Sequence, residues 1–187
     1  MKHPILLIVG SAPCVLDDLA ALPGHDRFDF MLIGAGSPAT LNIQHLSHHV
    51  SHENDFGAIN ERRGYNGLNT NYATFSNRPH PYPGLQVWPE LTPPTCAYDC
   101  NPRFASDDPR NLHHYSGSSA MLGLKVGLRL GYRKIILAGV PINEGHYAAF
   151  QVGWRLNADL LRRCPVRSMS GFTRELLGEY TEEWLNG

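Results

Sequence analysis

Charge is scarce in this 187-residue chain: Asp, Glu, Lys and Arg make up 18% of it, against an average of roughly 25%, and the formal net charge is -1. No global basic field is present to hold a nucleic-acid backbone, so DNA or RNA is not an expected partner. Cysteine is sparse as well. Cys14, Cys96, Cys100 and Cys164 are unevenly placed and make a poor disulfide framework, so reduced thiols are expected. Long apolar runs are missing. The run Ile5–Val9 has five residues and no small-residue cleavage site behind it, too short for a signal-peptide core. Nothing approaches the ~18 apolar residues of a membrane-spanning helix. These absences lead to the expectation of a soluble, cytoplasmic protein with no membrane partner. Neither glycine-rich loop matches Gly-x-Gly-x-x-Gly or Gly-x-x-x-x-Gly-Lys-Ser/Thr, which speaks against dinucleotide and P-loop sites.

What is present is an apolar content of 42% with 18 glycines and 14 prolines, a loop-rich globular composition of a length for one α/β domain over residues 1–187. Ile5–Val9 reads as a strand buried on both faces and ends in Gly10-Ser11-Ala12-Pro13. Val15, Leu16, Leu19 and Leu22 recur at helical spacing until Pro23-Gly24. Phe28–Ile33 reads as a second strand, followed by the turn Gly34 to Pro38, a short helix through Leu41 and Leu46, and a third strand over His48–Asp55. From about residue 57 to 112 the pattern dissolves. Eight of the fourteen prolines lie between Pro79 and Pro109, and only Tyr72–Phe75 and Leu85–Trp88 look strand-like. A stretch of that length inside a domain reads either as a lid over a substrate or as a proline-stiffened surface loop. Regularity returns with a helix opened by Ser116-Gly117-Ser118-Ser119 and closed by Gly131, a strand over Lys134–Val140, a helix over Ala148–Arg163, a short strand over Pro165–Met169 and helical turns at Thr173–Leu177 and Glu182–Leu185. Strands alternating with helices predict a Rossmann-like, doubly wound, mainly parallel sheet carrying a Pro-rich irregular insertion.

In such a sheet ligands bind beyond the carboxyl ends of the strands. The residues there are Gly10, Ser11 and Pro13, then Gly34 and Ser37, then Glu53, then Asn143 and Tyr147, with Ser116, Gly117, Ser118 and Ser119 at the start of a helix. Small hydroxyl residues at a helix N-terminus suit an anion such as phosphate, and suit an ordinary N-cap equally well. Of ten histidines, His52, His114 and His146 fall at the edges of this region and are the candidate general bases. His48 and His49 are adjacent and on a strand would face opposite sides. Cys96, Cys100, His113 and His114 imitate the front of a zinc site, but its final pair should be separated by three to five residues and these histidines are adjacent. No metal is expected.

The block Tyr115-Ser116-Gly117-Ser118-Ser119-Ala120, its apolar helix, and Leu130-Gly131-Tyr132-Arg133-Lys134-Ile135-Ile136-Leu137-Ala138-Gly139-Val140 resembles the second half of the nucleotide-binding domain of bacterial sialyltransferases of the Campylobacter type. Related motility-accessory glycosyltransferases and archaeal hydroxymethylpterin diphosphokinase-like proteins share the pattern. Val9-Gly10-Ser11-Ala12-Pro13 followed by Leu16 is similar to the loop with which that superfamily wraps the nucleotide. The resemblance implies that Gly10, Ser11 and Pro13 contact a nucleotide, and that Ser116, Gly117 and Ser118 contact the nucleotide or its phosphate. Pro141 stands where the sialyltransferases have aspartate, and His146 and Tyr147 match the family's catalytic histidine and phosphate-binding aromatics by position only. The expected function is a metal-independent, glycosyltransferase-like transferase that takes a nucleotide or nucleotide-sugar and a small-molecule or glycan acceptor, and a homo-oligomer is compatible with it. Two alternatives stay open. One is a diphosphokinase-like phosphotransferase, with Mg2+ held by carboxylates such as Glu53, Asp55 or Glu144. The other is a non-catalytic protein that binds or sequesters a small nucleotide.

Overall fold

Apolar residues in unbroken runs of four or five build the centre of the molecule. In a computed structural model, which describes residues 3–33, 46–50, 73–76, 85–87 and 118–187, β1 (Ile5–Val9) lies between β2 (Asp29–Ile33) and a later strand, β6 (Lys134–Ala138). Leu7 of β1 pairs with Phe30 on one side and Ile136 on the other. Beyond β2 come β3 (His48–Val50), β4 (Ala73–Ser76) and β5 (Leu85–Val87), and beyond β6 comes β7 (Val166–Ser168). The order is β5-β4-β3-β2-β1-β6-β7, and every pairing in it is parallel. The expected α/β, doubly wound sheet is therefore present. The stretch 57–112, expected to be irregular, gives the sheet its last two strands on one side, β4 and the edge strand β5, at the two places where its sequence looked extended. Its other residues lie outside those described, as do the turn and helix expected over 34–45 and residues 51–55 of the third strand.

Alternation along each strand divides the core in two. Leu6, Ile8, Met31, Ile33, Ile135 and Leu137 face one layer of helices: α2 (Ser119–Leu130), α3 (Gln151–Leu156), α4 (Ala158–Arg163) and α5 (Gly171–Leu177). Leu7, Val9, Phe30, Leu32, Ile136 and Ala138 face the other: α1 (Val15–Ala20) and α6 (Glu182–Asn186). Gly123 and Gly127 bring α2 close to the sheet. A Cβ on Gly123 would lie 2.9 Å from the Ile33 side chain, and one on Gly127 2.6 Å from Leu6. Each glycine costs a helix about 1 kcal/mol relative to alanine, which the close packing offsets. Lys125, between them, is buried, and burial pulls its ammonium down to about 7.

The helix expected from Val15 forms as α1, with Leu16 57% exposed beside the buried Val15 and Leu19, because a six-residue helix presents only a narrow stripe to the sheet. One expectation is corrected. The single helix expected over Ala148–Arg163 is instead a 3₁₀ turn over Gly145–Phe150 followed by α3 and α4. The break falls at Asn157, whose buried amide donates to the Gly153 carbonyl at 2.7 Å. A short polar side chain that bonds the preceding turn competes with the helical ladder.

The amino edge of the sheet carries a buried polar cluster. Tyr132, just before β6, donates its hydroxyl proton to Asp29 Oδ2 at 2.7 Å and meets His48 Nε2 at 2.6 Å. With the phenol proton used on Asp29, Nε2 of His48 is the donor in the second bond. Asp29 Oδ1 also accepts from the His3 amide at 3.2 Å. Burial holds the His48 imidazole down at about 4, against an opposing pull from the Asp29 charge. His48 and His49 are both buried, as the first two residues of β3.

Candidate functional site

The chain adds strands outward from β1 to β5 and then returns to the other side of β1 with β6. The loops after β1 and β6 therefore leave in opposite directions, and the crevice between them is where such sheets take ligands. Two glycines close its floor. Gly10 donates its N–H to Ala138 at 2.8 Å, and Ala12 donates to Gly139 at 3.3 Å. A Cβ on Gly10 would collide with the Gly139 carbonyl oxygen. Gly139 has φ +65°, and a Cβ there would sit 2.6 Å from Val15, so both positions require glycine. Above this floor Gly10 is buried while Ser11 and Pro13 are exposed.

Asp18 fastens the floor to a third loop. Its Oδ2 accepts from Gly139 N–H at 2.7 Å and from the hydroxyl of Ser170, between β7 and α5, at 2.9 Å. Ser170 Oγ in turn lies 3.3 Å from Cys14 Sγ. Neither Asp18 nor Ser170 stood out in the sequence. The available signal was Asp18 itself, an acid on the buried stripe of α1 beside Val15 and Leu19.

After β6 the chain turns sharply. Ile142, buried, has φ +52°, a conformation that a β-branched residue adopts only under constraint. Its carbonyl accepts from Gln151 Nε2 at 2.7 Å. Asn143 is exposed, and its Oδ1 accepts the Phe172 amide at 2.6 Å, so the residue ties this loop to the start of α5. Glu144 precedes the Gly145–Phe150 turn, which carries His146 and Tyr147. Tyr147 is 52% exposed and meets Phe150 edge-on at 6.2 Å. For His146 the backbone alone is described.

The third component is the start of α2. This helix delivers the chain to the amino end of β6, so its own first turn lies toward the carboxyl edge. Twelve residues at ~1.5 Å each roughly match the length of a five-residue strand at ~3.3 Å each. Ser118 is buried, and its Oγ accepts from Ala120 N–H at 3.2 Å, the bond of an N-cap. Ser119 is the first helical residue. Of the residues singled out in the sequence, Gly10, Ser11, Pro13, Ser118, Ser119, Asn143, His146 and Tyr147 fall within the described residues. Gly34, Ser37, His52, Glu53, His114, Ser116 and Gly117 lie outside them, as do Cys96, Cys100 and His113.

No protein-family model and no curated protein sequence matches the chain. Among solved structures, the sialyltransferase CstII from Campylobacter jejuni, in complex with the substrate analogue cytidine-5'-monophosphate, is similar to it with a TM-score of 0.54. The superposition covers 97% of this chain and 86% of that one at 12% sequence identity. The likeness shows a shared α/β fold; the motility-accessory and diphosphokinase-like resemblances have no counterpart in these comparisons. Among the described residues no helix is long and apolar enough to cross a membrane.

Proposed function

We propose that the chain is a nucleotide- or nucleotide-sugar-binding transferase of glycosyltransferase type that works without a metal. The observation that carries this reading is the closed floor between β1 and β6, built from Gly10 and Gly139, in a fold shared with a sialyltransferase solved with cytidine-5'-monophosphate. Ser11 and Pro13 rim the base and sugar side, and the first turn of α2 brings its positive end and the Ser118–Ser119 amides toward the phosphate. Tyr147 supports the leaving phosphate, and Asn143 holds the loop that carries it. In the reaction an acceptor hydroxyl loses its proton to a histidine, its oxygen forms the new bond at the anomeric carbon, and the nucleotide phosphate leaves with the bonding electrons. His146 is the first candidate for that base, on the loop leaving β6; His114 and His52 are the others.

The test is titration calorimetry with cytidine-5'-monophosphate and with CMP-sugars, in EDTA and in Mg2+, followed by an assay for release of the nucleotide. Binding and turnover in EDTA are expected. Turnover only with Mg2+ would overturn the metal-independent reading, and tight binding with the nucleotide-sugar intact after long incubation would make it a binding protein.

A further inference from the structure

The strand-end loops are held by a chain of hydrogen bonds whose direction is set by a single acceptor. Asp18 is buried, and its Oδ2 receives both Gly139 N–H and Ser170 O–H. An ionised carboxylate has no proton to return. Ser170 therefore uses its one proton on Asp18 and can meet Cys14 only as an acceptor, which makes the Cys14 thiol the donor across 3.3 Å. The chain runs from Cys14 to Ser170 to Asp18, with Gly139 joining from the other side. Its members come from the loops after β1, β6 and β7 and from α1.

We infer that Asp18 is a positioning residue of the strand-end site: its carboxylate orients Gly139 directly and Cys14 through Ser170, and so sets how the three loops stand around the ligand. The effect on binding rests on the nucleotide-binding reading above; the hydrogen-bond chain does not. Burial lifts Cys14 above its ordinary value.

Asp18→Asn tests the inference at almost unchanged size. The amide oxygen still accepts Gly139 N–H, but the amide nitrogen now donates to Ser170, which turns its own proton toward Cys14. The negative charge beside the thiol is also gone. Two readouts are taken on the full chain, with thermal unfolding to establish that the variant is folded. The first is alkylation of Cys14 by iodoacetamide as a function of pH, followed by mass spectrometry on the peptide that contains it. The second is affinity for cytidine-5'-monophosphate. The expected result is an alkylation profile displaced to lower pH, at least threefold faster at pH 8, with affinity reduced at least tenfold. Either readout unchanged in the folded variant overturns the inference. If the wild-type chain binds no cytidine-5'-monophosphate, the functional reading fails, and the alkylation profile alone decides the role of Asp18. If Asp18→Asn does not fold, Ser170→Ala takes its place. It keeps the bond between Asp18 and Gly139 and leaves Cys14 without its acceptor, so Cys14 should alkylate faster; an unaltered rate there overturns the inference.

Discussion

The two edges of the same sheet are built on different principles. At the amino edge, side chains satisfy one another: Tyr132 joins Asp29 to His48, and the Lys134 ammonium closes the carboxyl end of α6 by donating to the Trp184 and Leu185 carbonyls. At the carboxyl edge side chains hold the backbone of neighbouring loops, Asp18 accepting Gly139 N–H and Asn143 accepting Phe172 N–H, beside the backbone bond from Gly10 to Ala138. The first arrangement seals a boundary. The second keeps loops in register while Ser11, Pro13 and Tyr147 stay turned toward solvent. A parallel sheet thus assigns stability to one end of its strands and ligand contact to the other.

Substitutions at the two edges should therefore separate folding from binding. The largest effect on binding is expected for Gly10→Val, which forces a branched side chain into the Gly139 carbonyl. Affinity for cytidine-5'-monophosphate should fall at least 100-fold, about 2.7 kcal/mol, and a variant that binds normally would remove the glycine floor from the site. At the amino edge acid should act through His48. Its folded-state pKa is lowered from 6.5 to about 4, so between those values the unfolded chain binds a proton that the native one does not. Stability should fall by about 3 kcal/mol as pH drops from 6.5 to 4 and show no further loss from this group below that. Urea unfolding across this range should show the slope, and His48→Gln should abolish it. His146→Ala should reduce turnover about 100-fold with nucleotide affinity held within a factor of two; full activity would transfer the base to His114 or His52. Tyr132→Phe removes a hydrogen bond to a buried carboxylate and should cost about 2 kcal/mol in urea unfolding, with binding untouched. The smallest effect belongs to Ser118→Ala, which loses the cap on Ala120 and should cost about 1 kcal/mol. If its affinity drops tenfold as well, the hydroxyl belongs to the phosphate rather than to the helix.

The sequence displayed the strands more clearly than the edges. Ile5–Val9 and the core of Lys134–Val140 were legible because a strand buried on both faces is an uninterrupted apolar run. The glycines at 10, 131 and 139 were equally visible as turns, since only positions of unusual backbone geometry or close approach demand them. The broken helix was not legible. Asn157 reads as a tolerable helical residue until its amide is seen bonding to Gly153. His48 and His49 were legible as neighbours facing opposite sides of a strand, but nothing local marked His48 as part of a buried structural cluster. The partners that explain it, Asp29 and Tyr132, are 19 and 84 residues distant in the chain, a pairing that no local pattern records. Asp18 and Ser170 escaped for the same reason, since 152 residues separate them.

Strand order also has a consequence in time. Leu6 finds Asp29 on one side of β1 after a short excursion, but its partner on the other side is Ile135, most of the chain away. During synthesis β1 and β2 can associate early, whereas the second half of the sheet must wait until β6 has been made, and closing so long a loop is slow. Gly10 meets Gly139 only at that last closure. On the proposed reading, nucleotide binding should therefore appear late, with the slowest folding phase, and a nucleotide added during refolding would report the moment when the two ends of the chain's history meet.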